Sequence, residues 1–192
     1  MPDIPVTSYP IQLEGDVATD CGLVHVRPIR PEDGPALVEF HDGLSRDSQY
    51  LRFFNAHPHL SLAEVARFTQ VDYQRRLALV VEQNGGLIAV GRYDMTGATG
   101  EAEVAFVVSD AYQRHGLGTM LLGRLAAAAA ERGIEYFVAE TLAVNRNMLA
   151  VFHESGFKTE SWFEGGVVRV RFPIEPDTKG SLVRQDCPRE PR

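Results

Sequence analysis

Cysteine, tryptophan and positive charge are all scarce in this chain, and each scarcity removes a class of protein. Only Cys21 and Cys187 occur in 192 residues, one near each end. Two cysteines do not make a disulfide framework, so stability has to come from a packed core, and a reducing cytoplasm is the expected compartment. Acidic residues outnumber basic ones to give a formal net charge of -7, and the lysines and arginines are scattered. The basic stripe of a sequence-independent nucleic-acid binder is therefore missing, and no nucleic-acid partner is expected. No uninterrupted apolar run approaches the ~20 residues that cross a bilayer, so no membrane partner is expected either. The opening segment, MPDIPVTSYPIQLEGD, has neither the basic nor the continuous apolar part of a secretory signal. His57-Pro58-His59 is a weak hint of metal ligation. Its spacing across a proline, without a cysteine or carboxylate beside it in sequence, is poor ligand geometry, and no metal is expected.

What remains reads as one α/β (α+β) domain over residues 21–173. An N-terminal extension (1–20) precedes it, and a tail (174–192) rich in Pro, Asp, Lys, Arg and Glu follows, with the composition of a disordered segment. Residues 24–29 form a first strand. Pro31 and the acidic pair Glu32-Asp33 then open a helix carrying Ala36, Leu37, Phe40 and Leu44 at helical spacing. Ser61 and Glu64 have the form of a capping box. Residues 77–82 and 87–95 are apolar runs joined by Gln83-Asn84-Gly85-Gly86, a hairpin signal because Asn and Gly accept positive φ. A further strand at 101–108 leads into YQRHGLGT, and a helix then runs to Gly133. A strand at 136–142, a helix at 145–155 closed by Gly156, and strands at 157–162 and 167–172 complete the order. Six to seven strands in a mixed, mostly antiparallel sheet, with helices on both faces, follow from it.

The loop YQRHGLGT sits where a strand turns into a helix. A helix N-terminus offers unpaired N–H groups and partial positive charge to an anion, and Gly116 and Gly118 let backbone approach a ligand without a Cβ in between. A Walker A loop is excluded, since Gly118 is followed by Thr119-Met120 rather than by Lys-Ser/Thr. The dinucleotide fingerprint is excluded too, for want of a third glycine or alanine and an early parallel βαβ unit.

Gln113-Arg114-His115-Gly116-Leu117-Gly118 resembles the acyl-CoA pyrophosphate loop of the GNAT superfamily of N-acetyltransferases, Gln/Arg-x-x-Gly-x-Gly/Ala. Asn145-x-x-Met148-x-x-x-Phe152-x-x-x-Gly156-Phe157 is similar to the family's Asn-x-x-Ala-x-x-x-Tyr-x-x-x-Gly-Phe. The resemblance implies a GNAT fold whose fourth and fifth strands splay apart. It also implies acetyl-CoA as donor with coenzyme A as product, held by the edge Phe106, Val107 and Val108. The amides of Arg114, His115, Gly116, Leu117, Gly118 and Thr119 would cradle the pyrophosphate after Gln113, and Asn145 would reach the pantetheine arm.

Acetyl transfer to an amine requires a neutral nucleophile, whereas a lysine ammonium has a pKa near ~10.4, so a base must take a proton. Strand alternation puts Glu101, Glu103, Ala105 and Val107 on one face. Glu103 is the preferred base, at a position where the resemblance places it in some lysine acetyltransferases. Glu140 is its rival, spaced before Asn145 as is the base of GNAT enzymes that act on ribosomal-protein N-termini. Phe152 departs from the family's tyrosine and cannot protonate the departing thiolate. Neither cysteine falls in the site, which favours direct transfer over a ping-pong route.

VRPIRPED, FHDGLSRDSQYLRFF and VDYQRRLALVVE look like the GNAT domain of bacterial protein lysine acetyltransferases that modify acyl-CoA synthetases. A regulatory domain of the kind often fused to them does not fit in this length. The likeness implies a protein acceptor such as an acyl-CoA synthetase, with Ser48, Tyr50, Arg52 and Phe53 at the acceptor lip, and a monomer or homodimer. A small amine or a protein N-terminus as acceptor, and a non-catalytic acyl-CoA sensor, are the alternatives.

Overall fold

The computed structural model describes residues 8–98 and 100–174. Eight strands form one sheet: β1 (Gly15–Thr19), β2 (Gly22–Pro28), β3 (Arg76–Gln83), β4 (Gly86–Met95), β5 (Glu101–Val108), β6 (Tyr136–Leu142), β7 (Glu160–Glu164) and β8 (Val167–Pro173). Their spatial order is β1-β2-β3-β4-β5-β6-β8-β7. All neighbours are antiparallel except β5 and β6. That parallel pair needs a crossover, which α4 (Leu117–Ala130) provides. Helices α1 (Gly34–Asp42), α2 (Arg46–Phe53) and α3 (Leu62–Thr69) lie between β2 and β3, and α5 (Arg146–Glu154) follows β6.

Strand β3 explains why both faces are covered. Leu77 to Val81 is an unbroken apolar run in which every residue has 0% exposure, so neither face of this strand meets water. On β4 the alternation divides the layers. A Cβ on Gly91 would touch Leu125 of α4, whereas Val90 and Arg92 face Leu37 and Phe40 of α1. Close approach of α4 thus depends on a glycine in the strand beneath it. Asn84 (φ 53°) and Gly85 (φ 82°) both turn left-handed, giving the two-residue hairpin read from the sequence. The Ser61–Glu64 capping box forms at the start of α3, with reciprocal N–H donations of 3.3 and 2.9 Å.

The sheet has one strand more than expected because β1 lies within the segment read as the N-terminal extension. β1 pairs with β2 from Gly15↔Val26 to Thr19↔Gly22. Ahead of it, Tyr9 donates to Glu14 at 2.8 Å, stacks edge-on against Tyr73 and lies beneath the Arg30 guanidinium. At the other end, Ile174 is buried and donates its N–H to the Glu135 carbonyl at 3.0 Å. The rest of the expected tail, with Cys187, lies outside the described residues. Beneath β1, Arg27 grips Asp33 through two bonds of 2.7 and 2.8 Å and also reaches Glu82, which fixes the entry to α1.

Candidate active site

Pairing between β5 and β6 covers only Glu101↔Tyr136, Ala102↔Phe137 and Glu103↔Val138. Beyond that point β6 stays with β8 through Leu142↔Val167 while β5 follows β4, so the two strands part. A cleft of about 390 Å³ opens in the gap. Its walls are the outer half of β5 (104–108), the loop into α4, Glu140 and Thr141 of β6, the inner face of α5, and Ser48, Leu51 and Arg52 of α2. The expected splay is present, and the edge Phe106, Val107 and Val108 lines it.

In the loop, Arg114 (φ 65°) and Gly116 (φ 76°) both take the left-handed conformation, turning the backbone so that α4 begins without a side-chain cap. The first amide of this helix to find a backbone acceptor is that of Met120, bonded to the Gly116 carbonyl at 2.9 Å. Among the described residues, the N–H groups from Arg114 to Thr119 have no protein acceptor. Open space surrounds the Cα of Gly116, and Gly118 packs so close to α5 that a Cβ there would stand 2.9 Å from Val151. Unpaired amides, positive helix-end potential and a bare backbone fit the phosphates of an acyl-CoA. Gln113, Arg114 and Thr119 line the same wall, whereas His115 does not. The His115 Nδ1 is nonetheless buried without a partner among the described residues.

Asn145 is 9% exposed and lines the cleft. Its Oδ1 caps α5 by accepting the Met148 N–H at 3.1 Å, and its amide nitrogen has no partner among the described residues. Phe152 is 2% exposed, packed near Phe172 beside Phe137 and Phe157. It therefore belongs to the core, with one side on the cleft.

The two glutamates differ in their partners. Glu140 lines the cleft but accepts a 2.7 Å bond from Nε of Arg169, its cross-strand neighbour on β8. Glu103 is exposed at the last paired position before the strands part, on the β5 face shared with Ala105 and Val107. It makes no ion pair among the described residues, although Asp94 lies opposite it on β4. Of the acceptor-lip residues, Ser48 and Arg52 reach the cleft. Phe53 lines a smaller cavity behind it, stacked on His57 at 4.2 Å, and Tyr50 faces solvent and lines neither.

Several residues that the sequence did not single out build the site. Asp110 accepts from the Ser45 N–H (2.9 Å), the Ser45 hydroxyl (2.7 Å) and the Ser48 hydroxyl (2.8 Å), tying α2 to the end of β5. Burial alone would raise its pKa, but these bonds to the carboxylate outweigh burial and hold it below the usual range. Gln113 extends the chain. Its Nε2 donates to Ser48 (3.0 Å) and to the Val108 carbonyl (3.2 Å), and its Oε1 accepts from Asn147 of α5 (3.1 Å). Thr141 is 1% exposed, with its hydroxyl at the cleft wall lacking a partner among the described residues. Such contacts join residues up to 65 apart, and no local pattern announces them.

Comparison with known proteins places this architecture. The model of the acetyltransferase (GNAT) family matches residues 44–157. The chain is 31% identical over 138 residues to acetyltransferase PA5475 of Pseudomonas aeruginosa, covering 70% of this chain and 74% of that protein. It is 31% identical over 136 residues to acetyltransferase Pat of Mycolicibacterium smegmatis, where the match spans 69% of this chain and 40% of the relative. The crystal structure of the GNAT domain of S. lividans PAT superposes with a TM-score of 0.81 at 42% identity, over 86% of this chain and 99% of that one. A cleft between splayed strands, bare amides at the start of α4 and these likenesses agree: the chain belongs to the GNAT family and is an N-acetyltransferase.

Proposed function

We propose that this enzyme transfers an acetyl group from acetyl-CoA to the side-chain amine of a lysine on a protein, with Glu103 as general base. The observation that carries the reading is the position of Glu103. It stands unpaired one residue before the cleft-lining run of β5, at the rim rather than in the wall, on the sheet face covered by α2, so an amine entering beside α2 passes a free carboxylate. The likeness of VRPIRPED, FHDGLSRDSQYLRFF and VDYQRRLALVVE to bacterial protein lysine acetyltransferases supports a protein acceptor, and an acyl-CoA synthetase is the acceptor class to try first.

Acetyl-CoA supplies the activated thioester, and the chain supplies position and proton transfer. The amides from Arg114 to Thr119 hold the pyrophosphate, and the unpaired edge from Val104 to Val108 holds the pantetheine amides as an added strand would. Glu103 takes the proton that leaves the acceptor ammonium, directly or through a water. The amine then forms the new C–N bond as the C–S bond breaks, the electron pair departs on sulfur, and the second proton lost by the nitrogen passes through water to the thiolate, giving the amide and free coenzyme A. Phe152 offers the thiolate no proton. Glu140 serves this role less well, because its carboxylate is already neutralised by Arg169.

The test is intact-mass and peptide mass spectrometry of an acetyl-CoA synthetase incubated with acetyl-CoA and the enzyme, wild type beside Glu103→Gln. One acetyl group on a single lysine, lost with the variant, is the expected result. No modification above the enzyme-free control, with acetyl-CoA binding verified calorimetrically, rejects this acceptor in favour of small amines, N-termini or a sensor role. Loss with Glu140→Gln and not with Glu103→Gln reassigns the base.

A further inference from the structure

A second cavity, of about 30 Å³, adjoins the cleft on the face of the sheet covered by α1 and α2. Val90 and Arg92 of β4 and Ala105 and Val107 of β5 form its floor. Arg52, Ala105 and Val107 line both spaces, so one opens beside the other. A single water needs about 10–15 Å³ on this scale, so the cavity has room for two oxygen-sized groups.

Two arginines meet there without an acid between them. Arg92 is 8% exposed, and its only hydrogen bond within the described residues is a 3.4 Å donation to the Phe68 carbonyl, with the guanidinium 4.2 Å from the centre of the Phe68 ring. Arg52 makes no hydrogen bond or ion pair to any described residue and lies 5.2 Å from the centre of the Phe53 ring. The acids on this face do not complete them. Asp94 is bound by Arg76 at 2.6 Å, and Glu103 influences Arg52 without reaching ion-pair distance. His41, also at the cavity, is engaged with the His57 carbonyl at 2.8 Å. Burial pushes Arg92 down to about 9, with the charge of Arg52 adding to the effect, and burial lowers Arg52 as well. An uncompensated buried charge is strongly unfavourable, and a guanidinium fork matches a carboxylate in shape and charge.

We propose that Arg52 and Arg92 form a receptor for a carboxylate carried by the acceptor, seated in the small cavity while the acceptor amine enters the cleft. This rests on the acetyltransferase reading above and narrows its substrate class to amines with an acidic group nearby. On a protein that group is an Asp or Glu flanking the lysine. A free amino acid presents the same carboxylate.

The binding arm of the test needs no turnover. Arginine Nε–H resonances of the full chain are followed during titration with glutarate, a dicarboxylate without an amine, and with its neutral diamide. Saturable shifts of Arg52 and Arg92 with glutarate alone, abolished in Arg52→Gln, are expected. The kinetic arm compares lysine peptides with Glu or Gln beside the lysine, and free glutamate with its amides. A preference of about tenfold or more for the acid form, expressed in KM and lost in Arg52→Gln, is expected. Preference in the peptides assigns the carboxylate to a protein, and preference in the amino acid alone assigns it to a small acceptor. Either supports the receptor. Saturable binding with no acetylation of any amine leaves the receptor standing and defeats the lysine reading instead. Silent resonances overturn the receptor, and equal rates for acid and amide forms overturn its role in acceptor choice even where glutarate binds. Arg92→Met is the second variant. Arg52→Gln, at a half-buried helix position, keeps the test open should Arg92→Met fail to fold.

Discussion

On the proposed reading, residues 113–119 offer their ligand backbone N–H groups, whereas the opposite wall, built from α2 and the Arg92 face of β4 and β5, offers its ligand side chains. The first wall is made by one turn whose φ angles are set locally at Arg114 and Gly116. The second gathers Ser48, Arg52, Arg92 and Glu103 from a helix and two strands, held by an acid at position 110 that belongs to neither wall. A wall of amides binds what every acyl-CoA shares, and a wall of side chains can change its acceptor by single substitutions. The difference is therefore one between a constant donor and an adjustable acceptor.

Breaking the chemistry between the walls has the largest expected effect. Glu103→Gln lowers kcat by about 10²–10⁴-fold with little change in the KM for acetyl-CoA, measured by steady-state transfer to the acceptor. Glu140→Gln stays within a few-fold, since it removes an exposed ion pair with Arg169. On the backbone wall, Gly118→Val forces side-chain atoms into the space already held by Val151. A rise of about tenfold or more in the acetyl-CoA Kd is expected by calorimetry, partly restored by Val151→Ala.

Asp110→Asn sharpens the comparison because it acts on the tie between the walls. It leaves the Ser45 and Ser48 donors facing a poorer acceptor and lowers stability by about 1–2 kcal/mol, read from denaturant unfolding. Its pH signature has a definite sign. A carboxylate held below its usual value contributes stability above that value and loses it as pH falls through the folded-state pKa, so the wild-type advantage over Asp110→Asn fades in acid. The smallest effect belongs to His25, remote from both walls. Hydrogen bonds to Asp16 and then to Glu14 raise its pKa against the opposing effect of burial. Its contribution is complete below about pH 6.5 and is lost as pH rises through the higher folded-state value. Because solvent reaches its side chain, the Tm difference from His25→Gln shrinks by only about 1–2 °C between acidic and alkaline buffer.

The backbone wall was legible in the sequence because its demands are local. Glycines at 116 and 118, a strand before them and a helix after them are all visible within a dozen residues. Hairpin and capping signals at Asn84-Gly85 and Ser61–Glu64 were legible for the same reason. The side-chain wall was legible only in fragments. Arg52 falls in the segment whose likeness implies the acceptor lip, but nothing near Arg92 in sequence shows that it stands under α2, and Asp110 finds its donors more than sixty residues upstream. Pairing of Glu140 with Arg169 depends on β6 lying beside β8 out of chain order, which alternation alone does not reveal. β1 was missed because Gly15 and the acidic residues around it dilute an apolar pattern of only five residues, GDVAT.

The short seam between β5 and β6 has a mechanical consequence. With three paired positions between them, the blocks β1 to β5 and β6 to β8 meet as two leaves along a narrow seam, tied also by α4, by α2 against both β5 and β6, and by the Arg171–Glu101 ion pair. On the proposed reading, a donor molecule lying in the wedge bonds to both leaves and joins the seam. Slower amide exchange along β6 and the outer half of β5 together on adding acetyl-CoA, read by hydrogen–deuterium exchange, is the expected outcome.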